Sequence, residues 1–163
     1  MKGMVQGKPR QRGLVMLALL LALLLSGVLM LQAAETWATT RQREREAELL
    51  FVGAQYRLAI RRYYLGTPPG QARTFPAQLE DLLEDRRYPV PVRHLRRLYA
   101  DPVTGSTDWG LVRSGDRIAG VYSPSQDRPL KQTGFEAANI AFEGRDAYKD
   151  WVFVFVPPAG RRR

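Results

Sequence analysis

Residues 13–34 read GLVMLALLLALLLSGVLMLQAA, without a single charge. The apolar core Leu14 to Leu31 is 18 residues long, close to the ~20 that cross a hydrocarbon layer as a helix. On the surface of a water-soluble globule such a helix would be too apolar on every face. The stretch therefore reads as a membrane segment. Lys2, Lys8, Arg10 and Arg12 precede it, and no Asp or Glu occurs before Glu35, so the leader is expected to stay cytoplasmic while the rest crosses. Arg41, Arg43 and Arg45 follow the span and reduce that bias, partly offset by Glu35, Glu44 and Glu46. A cleaved secretory signal is the nearest rival. Signal cores are usually ~7 to 15 residues and end at a small-x-small site, whereas this run is longer and exits through Leu31-Gln32-Ala33-Ala34-Glu35.

The chain has 163 residues. A leader at 1–13 and a span at 14–34 leave residues 35–163 for one modest exported domain. The formal charge of +9 suggests nucleic acid until it is divided along the chain. Of 25 Lys and Arg residues, four lie in the leader and three are Arg161 to Arg163, so 18 remain against 16 acids. The body is near neutral and no nucleic-acid partner is expected. Arg93, His94, Arg96 and Arg97 follow the acidic run Glu80, Asp81, Glu84 and Asp85, a compensating surface pattern. With no cysteine there is no disulfide framework and no thiolate metal site. The single histidine, His94, removes the usual zinc sites and most imidazole-based catalysis.

Beyond the span the composition stays helix-forming to Leu65. Apolar residues recur at helical spacing as Leu49, Val52, Tyr56, Ala59 or Ile60, and Tyr63, with Arg57, Arg61 and Arg62 off the stripe. One helix of ~50 residues is expected, weakened at Gly27 and Gly53 by ~1 kcal/mol each and ended by Gly66-Thr67-Pro68-Pro69-Gly70. A second helix is signalled by Thr74-Phe75-Pro76-Ala77-Gln78-Leu79-Glu80-Asp81-Leu82-Leu83, with Leu79, Leu82 and Leu83 facing inward. Tyr88 to Pro91 reads as irregular and Val92 to Leu98 as a short helical turn. After the turn-rich Asp101 to Gly105 the period changes. Trp109 to Val112, the turn Ser114-Gly115-Asp116 and Ile118 to Tyr122 read as a β-hairpin, and Trp151 to Val156 as a third strand. Its Trp151, Phe153 and Phe155 share one face and Val152, Val154 and Val156 the other. Ser123 to Asp150 shows little pattern beyond Phe135, Ile140 and Phe142. A small sheet cannot bury its apolar face alone, so the amphipathic helical half is expected to cover it in an α+β domain.

A basic leader ending in Gly13, an apolar helix start, a charged continuation and a helix-covering sheet together resemble the type IV pilins and type II secretion pseudopilins. Phe75-Pro76-Ala77-Gln78-Leu79-Glu80-Asp81-Leu82 is similar to the Tyr-Pro-x-x-Leu stretch of pseudopilins, and Tyr99-Ala100-Asp101-Pro102-Val103-Thr104-Gly105 to their Asp-Pro loop. The resemblance implies a pilin-like fold, prepilin peptidase cleavage between Gly13 and Leu14, and assembly with other pilin or pseudopilin subunits. Leu14, Leu17, Ala18, Leu21, Leu24, Leu25, Val28 and Leu31 would form the anchor and assembly face. It also implies a single-pass protein of a bacterial inner membrane with a periplasmic domain. Two positions depart from the family, which usually has Phe first and Glu fifth after the cut; here they are Leu14 and Ala18. In the family the Glu neutralises a neighbouring terminal amine in an apolar environment. Ala18 cannot, which points to a minor subunit, or alternatively to a bitopic protein with an exported binding or adaptor domain that does not polymerise.

No phosphate loop is present, since Ser114-Gly115-Asp116 and Gly134 lack the Lys-Ser/Thr that must follow spaced glycines. Asp101, Thr104, Asp108 and Asp116 are hard oxygen donors, but their spacing fits no calcium loop, and turn roles suit them better. Ser123 and Ser125 have no local histidine partner, so a triad with His94 is not expected. Tyr56, Tyr63 and Tyr64 suit core packing, their hydroxyls reaching the edge. The chain is thus read as a structural protein, with no enzyme activity and no cofactor expected.

Overall fold

The computed structural model describes residues 10–158, apart from the side chains at 10–12, 28–29 and 31–36. Most of the basic leader and Arg161 to Arg163 lie outside the described residues. The chain divides into two compact units, Met1–Arg41 and Gln42–Arg163. Helix α1 (Arg10–Leu65) contributes to both. A hairpin of β1 (Gly110–Ser114) and β2 (Arg117–Tyr122), and a short β3 (Phe153–Val154), form an antiparallel sheet in the order β1-β2-β3. The second unit is therefore α+β.

Its core is built from the helical stripe expected of α1. Leu49, Val52, Tyr56, Ala59, Ile60 and Tyr63 are all buried, in one cluster with Ile118 and Val121 of β2, Phe153 of β3, and Trp109, Phe142, Tyr148 and Trp151 from the connecting segments. Trp151 stacks on Phe142 at 5.6 Å and 5°. Gly53, expected as a weak point of the helix, has a packing reason to be there. A Cβ at this position would sit 2.4 Å from the Phe153 ring, so the absent side chain lets helix and sheet close. Helix α1 ends where proline and glycine begin, with Gly66 N–H donating to Arg62 C=O at 2.8 Å and the Tyr88 hydroxyl donating to Gly66 C=O.

The hairpin closes through two residues, Gly115 and Asp116, because Ser114 pairs with Arg117. Gly115 has φ 66°, the left-handed conformation that such a turn needs and glycine adopts freely. A bulge between Val112 and Arg113 interrupts the register.

Four local expectations are corrected. The helix read over Thr74 to Leu83 is only a 3-10 helix, Leu79–Leu82. Its propagation stops because Leu82 C=O is taken by the N–H groups of His94 and Leu95, both at 2.9 Å, while Pro76 C=O accepts Ile118 N–H at 2.8 Å. Leu82 is buried, with Leu79 and Leu83 partly so. The same bonds remove the expected helical turn at Val92 to Leu98, where Val92 instead bridges Asp85 in antiparallel fashion. The third strand shrinks from Trp151 to Val156 to two residues, although Phe155 N–H still donates to Ala119 C=O at 3.0 Å. In the long connection Phe142 is buried and Phe135 packs on the core, but Ile140 is 57 % exposed. Two 3-10 helices, Ala137–Phe142 and Tyr148–Asp150, order this stretch.

Candidate functional site

The first unit carries the residues singled out for anchoring and assembly. Gly13 and Leu14 lie inside α1, three and four residues after its first residue Arg10. Leu14, Leu17, Leu21, Leu24 and Leu25 are between 56 % and 73 % exposed, and Ala18 is exposed beside them. Val15, Met16, Leu19, Leu20 and Leu23 are equally open, so the helix is apolar all round rather than along one stripe. Ser26, just beyond them, donates its hydroxyl to Ala22 C=O at 2.8 Å, which is how a helix satisfies such a group without water. Val28 and Leu31, also assigned to this face, have side chains outside the described residues. Among the described residues no helix is long and apolar enough to cross a membrane.

In the second unit, Glu46, which the sequence offers only as one of the acids offsetting Arg41, Arg43 and Arg45, is drawn into the interior. It is 4 % exposed. Its carboxylate accepts the N–H groups of Leu130 and Lys131, the latter at 3.2 Å, and the Tyr148 hydroxyl at 2.9 Å. A buried carboxylate is tolerable when donors surround it in this way. Burial, together with the hydrogen bond and charge of Glu46, pushes the Tyr148 hydroxyl up to about 12 despite an opposing hydrogen bond from Gln42. Glu46 thereby ties α1 to the connection that carries Leu130 and Tyr148.

A second buried polar cluster sits at the C-terminal end of α1. Asp85 has a fully buried side chain and meets the Arg87 guanidinium at 2.7 Å and His94 Nε2 at 3.0 Å. Since a carboxylate only accepts, Nε2 carries the shared proton. Burial opposes the Asp85 charge, but the hydrogen bonds from Arg87 and His94 and the Arg87 charge outweigh it and hold the carboxyl at about 2. Arg87 reaches on to Tyr63 C=O at 2.6 Å and Thr67 Oγ1 at 3.1 Å, with its guanidinium 3.6 Å from the Tyr63 ring centre. A cation on the last carbonyls of a helix complements its dipole. The cluster thus works as a C-terminal clamp on α1. The His94 side chain is only 7 % exposed.

The remaining chemical candidates take turn and packing roles. Asp101 is fully buried and accepts from Val103 N–H, Thr104 Oγ1 and Ser123 Oγ. Its backbone closes the loop with Gly105 and Ser106 at 2.7 Å each. Asp108 accepts the Ser106 hydroxyl, and Asp116 stays exposed in the hairpin turn. Among the described residues no group of three or more His, Asp or Glu could hold a metal ion. Ser123 and Ser125 donate to Asp101 and Asp127, whereas His94 faces Asp85, so hydroxyls and imidazole are committed to different partners. Tyr56 is buried, its hydroxyl bonded to both Tyr99 C=O and Tyr99 N–H, and Tyr63 is buried too. Tyr64 packs on Phe75 at 4.8 Å.

No protein-family model, curated protein or solved structure matches this chain.

Proposed function

We propose that the protein is a structural, non-enzymatic subunit: a minor pseudopilin-like component of a type II secretion or type IV pilus system. In this reading Leu14 to Leu31 crosses a bacterial inner membrane once, with the leader in the cytoplasm and the α+β domain in the periplasm. The observation that carries it is the pairing of Gly13, at the end of a basic leader, with a run of exposed apolar side chains in the helix whose continuation forms the core of the second unit. In lipid there is no hydrophobic drive between helices, so close packing and internal hydrogen-bond satisfaction decide association. Ser26, bonded to its own helix, and the small Ala18 and Ala22 are compatible with such packing. Prepilin peptidase would cut after Gly13 and leave Leu14 first. Ala18 cannot neutralise a neighbour's new amine, which suits a rare or terminal position rather than the repeating one.

The test is the intact mass of the N-terminus of the membrane-extracted protein, with and without prepilin peptidase. A start at Leu14 that reverts to Met1 in the peptidase deletion supports assembly. An uncut Met1 start in both strains overturns it in favour of the second reading, a bitopic adaptor, which Ala18 also favours. Exchange of Leu14 to Leu31 for an unrelated apolar helix separates the two further: an adaptor keeps its function, and a packed subunit loses incorporation.

A further inference from the structure

Within the second unit, helix α1 carries two apolar stripes. One is the buried core stripe from Leu49 to Tyr63. The other consists of Ala47, Phe51, Ala54, Leu58 and Leu65, at steps of four, three, four and seven residues, with Arg61 at the step left out. At about 100° per residue the two stripes fall on opposite faces of the helix. Packing against the sheet consumes the first and leaves the second open: Phe51 is 53 % and Leu65 40 % exposed, Ala47 is exposed, and Ala54 and Leu58 are half-buried. Beside this stripe runs a shallow trough of adjoining hollows, linked through Ala47, Leu50, Ala54 and Arg57. Its far wall is formed by Lys131, Phe135 and Phe155.

The rim is basic. Arg43, Arg57, Arg61 and Lys131 line the trough, and none of them belongs to an ion pair of the described residues. Of the two acids along it, Glu46 is already engaged by the Leu130 and Lys131 N–H groups and by Tyr148, and Glu136 shares its hollow with Arg57 and Lys131. Burial pushes the Arg57 guanidinium down, with Glu136 pulling the other way. Its hydrogen bond is to a neutral group, Ala138 C=O at 2.7 Å.

We propose that this trough receives an amphipathic helix from another protein, apolar on the face that meets Ala47 to Leu65 and bearing Asp or Glu along its flanks. Alternating three- and four-residue steps are the knob spacing that a second helix interdigitates with, and Ala47 and Ala54 let the two axes approach. A strand would need a period of two. The four cations, in no ion pair among the described residues, select carboxylates on the flanking positions, where charge sets partner choice in helix pairs. A second copy of the chain would bring the same four cations to the same seam. The trough lies within residues 43–158, so the proposal does not rest on membrane assembly.

The experiment uses the full chain in zwitterionic lipid nanodiscs and a fluorescent helical peptide of about three heptads, with Leu at a and d and Glu at e and g. A matched peptide with Lys at e and g serves as comparison, and binding is read by anisotropy. The Glu peptide is expected to bind roughly tenfold or more tightly than the Lys peptide, with affinity falling as salt rises. Phe51→Glu removes binding while the near-ultraviolet dichroism of the tryptophans stays unchanged. Arg43→Glu with Arg61→Glu, both at exposed sites, reverses the preference between the peptides. Equal binding of both peptides, absence of binding, or undiminished binding by Phe51→Glu overturns the proposal. So does concentration-dependent self-association that Phe51→Glu abolishes, because the occupant is then a second copy.

Discussion

From Leu14 to Leu25 helix α1 exposes large apolar side chains on every side, whereas from Leu49 to Tyr63 one face of the same helix is fully buried. Both stretches are helical, although the first is almost all Leu and Ala and the second mixes them with Val, Ile, Phe, Tyr and Gly, so helix formation does not separate them. Charge does. The first stretch has none, and the second places Arg57, Arg61 and Arg62 off its buried stripe. A helix without charges offers no face to water and needs an apolar surrounding all round; a helix with charges at intervals sorts its faces between a core and an aqueous rim. The backbone is common to both, so the presence and placement of charged side chains is what distinguishes the halves.

The sharpest way to break this contrast is to put charge into the first half. Leu21→Arg with Leu24→Arg is expected to cost about 3 kcal/mol per residue if the segment lies in hydrocarbon. The protein should then leave the membrane fraction after an alkaline carbonate wash. Phe51→Arg, on the open face of the second half, should leave fractionation unchanged.

The second half depends on its buried polar ties. Glu46→Ala strands the N–H groups of Leu130 and Lys131 and the Tyr148 hydroxyl, and a loss of about 3 kcal/mol in urea unfolding is expected. Glu44→Ala, two residues away on the exposed side, should stay within about 0.5 kcal/mol.

The clamp at the end of α1 titrates. Asp85 moves from an ordinary 3.8 down to about 2 on folding. Because its folded value is the lower one, the stabilisation is fully present above about pH 4 and is lost as pH falls through about 2. Roughly 2 kcal/mol is expected to disappear over that window. Subtracting the acid-unfolding curve of Asp85→Asn isolates this contribution from that of the other carboxylates.

The smallest effect compares two glycines of α1. Gly53→Ala forces a methyl against Phe153 and should destabilise by about 1 to 2 kcal/mol after the helix-propensity gain is counted. At Gly27 nothing beyond the adjoining helix backbone lies within 4 Å of where a Cβ would stand, so Gly27→Ala should be neutral or stabilising by up to ~1 kcal/mol. Thermal unfolding of the two variants decides it.

Much of this architecture was legible because its signals are local. The stripe Leu49 to Tyr63 repeats every three or four residues, and the Gly115-Asp116 turn announces the hairpin within a dozen positions. What stayed hidden depends on pairing at long range. Glu46 looks like any helix-surface acid until Leu130 and Tyr148, 84 and 102 residues away, arrive beside it. Asp85 and His94 read as members of a compensating surface pattern, and Arg87 carried no signal, because nothing local shows that Leu82 C=O will turn away from a helix to bind His94 and Leu95. The open stripe from Ala47 to Leu65 is present in the spacing but is interrupted at Arg61 and flanked by Arg57 and Arg62, so its period is masked by charge. Ile140 misled in the opposite direction, an apolar residue left facing solvent by a 3-10 turn.

The claim that underlies the proposed function is that the two halves of α1 live in different solvents, and the chain's lack of cysteine makes that directly measurable. Single cysteines at Leu20, Ser26, Glu44 and Glu48 can be probed in intact membranes with a maleimide that does not cross lipid, before and after solubilisation. Labelling of Glu44→Cys and Glu48→Cys from the outside, with Leu20→Cys and Ser26→Cys silent until denaturation, is the predicted result. Ready labelling of Leu20→Cys or Ser26→Cys in the native membrane would contradict it.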